Sequence, residues 1–249
     1  MTFLITNDDG IYAPALQQLR TQLAAFGRVV VVAPDRDQSA TSHSLTLQRP
    51  LRIRRHEQDV YSVDGTPTDC VLIAYHGLLE TPPAMVISGI NHGPNMGEDV
   101  FYSGTVAAAI EGAMQGVPSI AVSLATREAS DFAEPAGFVK RLVRQVLERG
   151  GLPPKQILNV NLPHRPWDEI AGVRITRLGS RVYRDTLVRK VDPRGKDYYW
   201  IGGEEPVWEA REGTDFQAVM SGWISVTPLR LYLTDEPALA VTRDWKLEK

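Results

Sequence analysis

The stretch MTFLITNDDGIYAPALQQLRTQLAAFGRVVVVAP, residues 1–34, decides how the chain folds. Phe3-Leu4-Ile5 is a short apolar run. After the polar loop behind it, Pro14 stands where a helix begins, and Leu16, Leu19, Leu23 and Phe26 recur on one face at helical spacing. Arg28 to Ala33 then sets four valines in a row without alternation, as in a strand covered on both faces. Strand, helix and doubly covered strand in this order predict parallel pairing.

The alternation continues outward from there. Leu51–His56 and Val60–Val63 read as a short antiparallel insertion, and Thr66-Pro67 as the N-cap and first residue of a helix running towards Leu79. Met85–Ser88 is a buried strand, followed by a Gly- and Asn-rich loop from Gly89 to Ser103 and a small-residue helix from Gly104 to Gln115. Ile120–Leu124 and Ile157–Leu162 are further strands, separated by an amphipathic helix that carries Phe138, Val139, Leu142, Val143, Val146 and Leu147. The fold class is therefore α/β, a parallel sheet core with helices on both faces, over residues 1–165.

Residues 166–249 change character. Segments such as DYYWIG (197–202) predict hairpins, and Ala238–Leu247 a terminal helix. This part is expected to form a C-terminal β-arm with a terminal helix, within the same structural domain. Residues 174–197 hold eight Arg or Lys (174, 177, 181, 184, 189, 190, 194 and 196) against three Asp, and 204–215 hold five acids against Arg211. Opposed blocks favour pairing within a hairpin or between subunits; two solvated strands are the plainer expectation.

Composition excludes several classes. With 43% hydrophobic and 23% charged residues, disorder, collagen and coiled coil are out. Twenty-seven basic against thirty acidic residues leave a net charge of -3, so no global field recruits nucleic acid or an anionic membrane. Cys70 is the single cysteine, and a lone thiol in an apolar stretch suits a reducing compartment, by default the cytoplasm. The N-terminal apolar run stops at Asn7, too short for a signal peptide or a membrane span.

Ligands of parallel α/β sheets bind at the carboxyl ends of the strands, so the loops there carry the chemistry. The first strand ends in Asn7-Asp8-Asp9-Gly10, two neighbouring carboxylates that require a compensating cation unless Asp9 merely caps a helix and Asp8 is solvated. The loop after the second strand, Pro34 to Ser44, is rich in hydroxyls; the one from Ser88 to Gly97 carries three glycines and two asparagines. Tyr102-Ser103-Gly104-Thr105 precedes a helix whose free N–H groups attract an anion. No dinucleotide glycine fingerprint, Walker A loop, His-Glu-x-x-His or Cys-x-x-Cys is present. Two carboxylates with a hydroxyl and an amide oxygen suit Mg²⁺ or Mn²⁺, the outline of a metal-assisted phosphoryl-transfer site. His43 and His92 lie in these loops, as proton donors or extra ligands, although solvent-facing loop histidines are the plainer expectation.

The motifs TNDDGIYAP (6–14), VAPDR (32–36) with Ser39, SLTL (44–47), GTPTDC (65–70), SGIN (88–91) and YSGTVAAA (102–109) resemble the survival protein SurE family. The resemblance continues through DPRG (192–195), YWIG (199–202), GTDF (213–216) and SVTPL (225–229). It implies a Rossmann-like core and a divalent-metal-dependent 5'-nucleotidase that releases phosphate from nucleoside monophosphates, with 3'-nucleotides and short polyphosphate as further substrates in some members. Carried over by motif, the metal ligands are Asp8, Asp9, Ser39 and Asn91, one Mg²⁺ or Mn²⁺ per subunit. The phosphate contacts are Asn95, Ser103, Gly104 and Thr105. The resemblance also implies an arm exchanged between subunits of a homodimer or homotetramer, and assigns no catalytic role to Tyr12 or His92. Two matters stay open: whether water or an aspartate (Asp8 or Asp9) attacks phosphorus, and whether the site turns substrate over or only binds nucleotide and metal as a stress protein.

Overall fold

The computed structural model describes residues 1–129, 131–182, 187–201, 207–209 and 211–245. Its N-terminal part runs β1 (Thr2–Thr6), α1 (Pro14–Leu23), β2 (Arg28–Pro34), β3 (Ile53–Glu57), β4 (Val60–Val63), α2 (Pro67–Ile73), β5 (Met85–His92), α3 (Gly104–Met114), β6 (Ser119–Leu124), α4 (Ala133–Glu148) and β7 (Gln156–Leu162). Then come β8 (Gly172–Ile175), β9 (Arg181–Val182), β10 (Leu187–Val191), β11 (Asp197–Ile201), β12 (Val207–Trp208), α5 (Asp215–Met220), β13 (Trp223–Arg230) and α6 (Glu236–Arg243).

The four valines of β2 explain the layering. Val29 and Val31 join one core cluster with Phe3, Ile5 and the α1 residues Leu16, Leu19 and Leu23. Val30 and Val32 point the other way, into a cluster with Leu4, Cys70 and Val71. Successive side chains of a strand alternate faces, so only an unbroken apolar run fills both layers. Each valine so buried contributes about 1.5–3 kcal/mol as an upper estimate.

Among the described residues nine strands form one sheet, in the order β3-β4-β2-β1-β5-β6-β7-β13-β8. The run from β4 through β7 is parallel. From β1 the chain first builds outward through β2 and β4, then returns to place β5 on the other side of β1. The split between β1 and β5 is a topological switch point, where loops diverge and leave a crevice. The expected antiparallel insertion is β3 and β4.

Several boundaries differ from expectation. β5 continues past Ser88 to His92, with an irregularity between Ser88 and Asn91, because residues 91 and 92 still pair with β6. The helix expected to reach Leu79 is α2 only to Ile73, after which a wider π turn runs to Leu78. Downstream of β7, hairpins are only part of the picture. β13 is antiparallel to β7 and parallel to β8, so it belongs to the main sheet, and α5 was not foreseen. Its alternation is masked because Ile224 to Thr227 are all buried. The expected hairpin is β10–β11, closed by Arg189 on Asp197, with Leu187, Trp200 and Ile201 exposed. α6 starts at Glu236, capped by Asp235, and buries none of its residues. Arg184, Gly202, Glu204, Glu205 and residues 246–249 lie outside the described residues. No described helix is long and apolar enough to cross a membrane.

Candidate active site

The turn after β1 separates the two carboxylates. Asn7 closes it reciprocally, donating from Nδ2 to the Gly10 carbonyl and accepting the Gly10 N–H, both at 3.1 Å. Gly10 has φ +98°, and a Cβ there would meet the Arg36 backbone at 3.1 Å, so glycine alone suits the turn. Asp8 is directed to the N-terminus of α3 and Asp9 to β5.

Asp8 is only 4% exposed. Its Oδ2 accepts the Thr105 N–H at 3.1 Å and its Oδ1 the Thr105 hydroxyl. Burial raises its carboxyl from the ordinary 3.8 to about 6; the Thr105 hydroxyl pulls it down, and the charge of Asp9 pushes it up. Gly104 makes this approach possible, since a Cβ there would lie 2.9 Å from the Asp8 Cβ. Asp8 makes no ion pair with a described residue, so its charge rests on the helix dipole and on Thr105. Asp9 Oδ2 instead accepts from His92 Nδ1 at 3.1 Å.

Ser39 reaches the site because the β2 loop is pinned beneath it: Gln38 N–H donates to the Asp8 carbonyl at 2.8 Å, and Ser39 N–H to Asp37 Oδ1 at 2.7 Å. Asn91 arrives through Gly89, where φ is +130° and a Cβ would sit 2.3 Å from the Val122 carbonyl oxygen. Asn91 Nδ2 donates to the Gly93 carbonyl at 2.8 Å, and its Oδ1 accepts no bond from the described residues. Asn95 is held from β6 and β7. Its N–H donates to Asn161 Oδ1 and its Nδ2 to Ser123 Oγ, each at 2.8 Å; its carbonyl accepts from Asn159 and Asn161 at 2.8 and 3.0 Å.

These residues converge on a cavity of about 280 Å³ lined by Asp8, Ser39, Asn91, Asn95 and Ser103, together with Arg127 and Arg181. Ser103 caps α3, accepting from Val106 N–H at 3.1 Å. Gly104 and Thr105 stand behind Asp8 and do not line the cavity, nor does Asp9. Cavities of about 520 and 480 Å³ lie beside β3–β4 and beside α3, but neither is lined by Asp8. Chemistry, not volume, singles out the smaller one. Among the described residues no three His, Cys, Asp or Glu side chains are grouped to hold a metal. A cation held here would need neutral oxygens, such as those of Ser39 and Asn91, beside the carboxylates.

Some site residues escaped the sequence reading. Arg181 arrives on β9, its Nη1 2.9 Å from Asp99 Oδ1 and its N–H donating to Glu98 Oε2 at 2.7 Å. The loop it meets is fastened by fully buried Asp215, which accepts from Gly97 and Gly179 N–H at 2.9 and 2.8 Å. Nothing in the local pattern around Arg181 marks it. Asn159 and Asn161 did leave a signal, two amides in a strand covered on both faces, where an unpaired polar group is costly. Of the two loop histidines, His92 departs from the solvent-facing expectation, whereas His43 stays exposed although it has a partner. His92, the last residue of β5, bridges Asp9 and the Ala129 carbonyl, and His43 bonds to Glu111 on α3.

Comparison with known proteins bears directly on this site. The family model "Survival protein SurE" matches residues 3–185. A Geobacter sulfurreducens protein named 5'-nucleotidase SurE is 51% identical over 248 residues, covering 99% of this chain and 94% of the relative. The chain belongs to the survival protein SurE family. An Aquifex aeolicus relative of the same name is 50% identical over 236 residues, covering 94% of each chain. The crystal structure of a SurE protein from Aquifex aeolicus superimposes with a TM-score of 0.87 at 47% identity, covering 98% of this chain and all of that one. The span matched by the SurE family model contains all the lining residues named above, Arg181 included.

Proposed function

We propose that this chain is a divalent-cation-dependent phosphomonoesterase that hydrolyses nucleoside 5'-monophosphates to nucleoside and phosphate. Relatives about half identical over nearly their whole length bear the name 5'-nucleotidase, which supports the reaction class. The observation that carries the reading is Asp8: a carboxylate 4% exposed, unpaired by any described cation, facing a cavity with an amide oxygen, a hydroxyl and two guanidinium groups.

The donor set fits a hard cation. Asp8, Ser39 and Asn91, which line the cavity, would hold Mg²⁺ or Mn²⁺ through oxygen, with the neighbouring carboxylate Asp9 completing the set from outside the lining, and the Asn91 Oδ1 is an acceptor without a donor among the described residues. Such an ion, when bound, would offset the two negative charges and supply Lewis acidity towards a phosphate oxygen and a water. The chain's own groups do the rest. Asn95 and Ser103 orient the phosphate, and the Arg127 and Arg181 side chains at the cavity wall draw the anion in. The N-terminus of α3, with Gly104 and Thr105, contributes through its dipole and by holding Asp8. Water is the nucleophile in this reading, because Asp8 and Asp9 would serve as cation ligands, and both Asp8 oxygens also accept from Thr105. Activity on 3'-nucleotides and short polyphosphate, and a homodimer or homotetramer joined through the exposed β10–β11 arm, are part of the proposal.

Phosphate release from AMP and GMP with Mn²⁺ tests it. Release should vanish with chelator and in folded Asp9→Asn. Nucleotide binding without release would show a binding protein instead, and full activity in Asp9→Asn would refute the cation assignment.

A further inference from the structure

The reaction as proposed leaves one ionisable pair unused, a buried carboxylate met by a partly exposed histidine. His43 Nε2 lies 2.9 Å from Glu111 Oε2, and Gln115 Nε2 donates to Glu111 Oε1 at 2.8 Å. Glu111 is only 4% exposed on α3, about two turns beyond Ser103 to Thr105. His43 follows Ser39 by four residues in the loop after β2. The contact joins the segment carrying the Ser39 hydroxyl to the helix whose N-terminus holds Asp8. Burial works against the Glu111 charge, but the bonds from His43 and Gln115 hold its carboxyl below the ordinary value.

The loop requires such a hold. Ala40 and Ser42 have φ of +58° and +54°, a left-handed conformation disfavoured for residues with a Cβ. Such backbone costs energy that bonds elsewhere have to offset. Ser42 supplies two, donating its N–H to the Tyr102 carbonyl at 3.0 Å and its hydroxyl to the Phe101 carbonyl at 2.6 Å. His43 on Glu111 is a further tie, and it joins two ionisable side chains.

We propose that His43 and Glu111 are a positioning pair: their hydrogen bond clamps the Ser39 loop to α3, so that the Ser39 hydroxyl shares the cavity with Asp8 and Asn91, and thereby sets the affinity for the divalent cation. The proposal rests on the reading of Ser39 as a cation donor. The pair touches neither substrate nor cation; its effect passes through the loop.

The test titrates the full chain with Mn²⁺ and follows the free-ion signal by electron paramagnetic resonance, which needs no turnover. His43→Ala should weaken Mn²⁺ binding about tenfold, the lower end of what partners behind metal ligands contribute. Its kcat at saturating Mn²⁺ should change far less. His43→Gln, whose amide still reaches Glu111, should recover most of the affinity. The double variant His43→Ala, Glu111→Leu removes both polar partners, so its stability in urea should recover while cation affinity stays weak. Wild-type affinity in folded His43→Ala, or affinity that returns with stability in the double variant, would overturn the pairing role. A wild-type chain that binds no Mn²⁺ would overturn the Ser39 reading beneath it, and is recognised without any variant.

Discussion

Replacing Asp8 by asparagine should make the cation-free protein more stable while abolishing its activity. The Asp8 carboxyl is raised from 3.8 to about 6 in the folded chain, chiefly by burial. Ionised at pH 7.5, it costs the fold about 3 kcal/mol relative to its protonated form. The sign follows from linkage. A carboxyl with a raised folded pKa favours the fold fully below about pH 3.8, and that advantage is lost as pH rises through about 6. The asparagine side chain in Asp8→Asn would be a neutral isostere of the protonated acid: its oxygen can accept the Thr105 N–H and its amide can donate to the Thr105 hydroxyl, which rotates. In chelator at pH 7.5, Asp8→Asn should therefore gain up to about 3 kcal/mol, or roughly 6–12 °C in midpoint for a chain of this size. Near pH 3.5 the gain should vanish. Adding Mn²⁺ at a hundredfold its dissociation constant should stabilise wild type by about 2.7 kcal/mol and leave Asp8→Asn almost unmoved. Thermal and urea unfolding at the two pH values measure all of this. An Asp8→Asn protein less stable than wild type in chelator at pH 7.5, or one stabilised equally by Mn²⁺, would refute the view that buried negative charge is held here for a cation.

Gly89→Ala should cost about 3 kcal/mol or more in urea unfolding, because the new Cβ meets the Val122 carbonyl oxygen at 2.3 Å on a backbone with φ +130°. A loss under about 1 kcal/mol would mean that β5 and β6 can separate at the site more easily than their packing implies. Arg127→Ala and Arg181→Ala should each raise KM for AMP about tenfold with a smaller change in kcat, as expected when an anion contact made equally in ground and transition states is removed. Unchanged steady-state KM values would remove the two guanidinium groups from the phosphate site.

What could be read from the chain alone was what neighbouring residues encode. Four consecutive valines require two covered faces, Leu16, Leu19 and Leu23 require a helix, and Thr66-Pro67 marks a start that the structure realises as a capping box with Asp69. The family resemblance carried by the motifs marked Asp8, Asp9, Ser39, Asn91 and Asn95, all in or beside loops at strand ends. Tertiary structure alone decided which of these meet. It set Asp8 against Thr105 across 97 residues, Asn95 against Asn161 across 66 and His43 against Glu111 across 68. It also brought Arg181 from β9 to the cavity wall and placed β13 inside the main sheet. Periodicity and turn propensity act over a few residues, whereas the burial and pairing of a charge depend on strands that the chain lays down far apart and only the folded sheet makes neighbours.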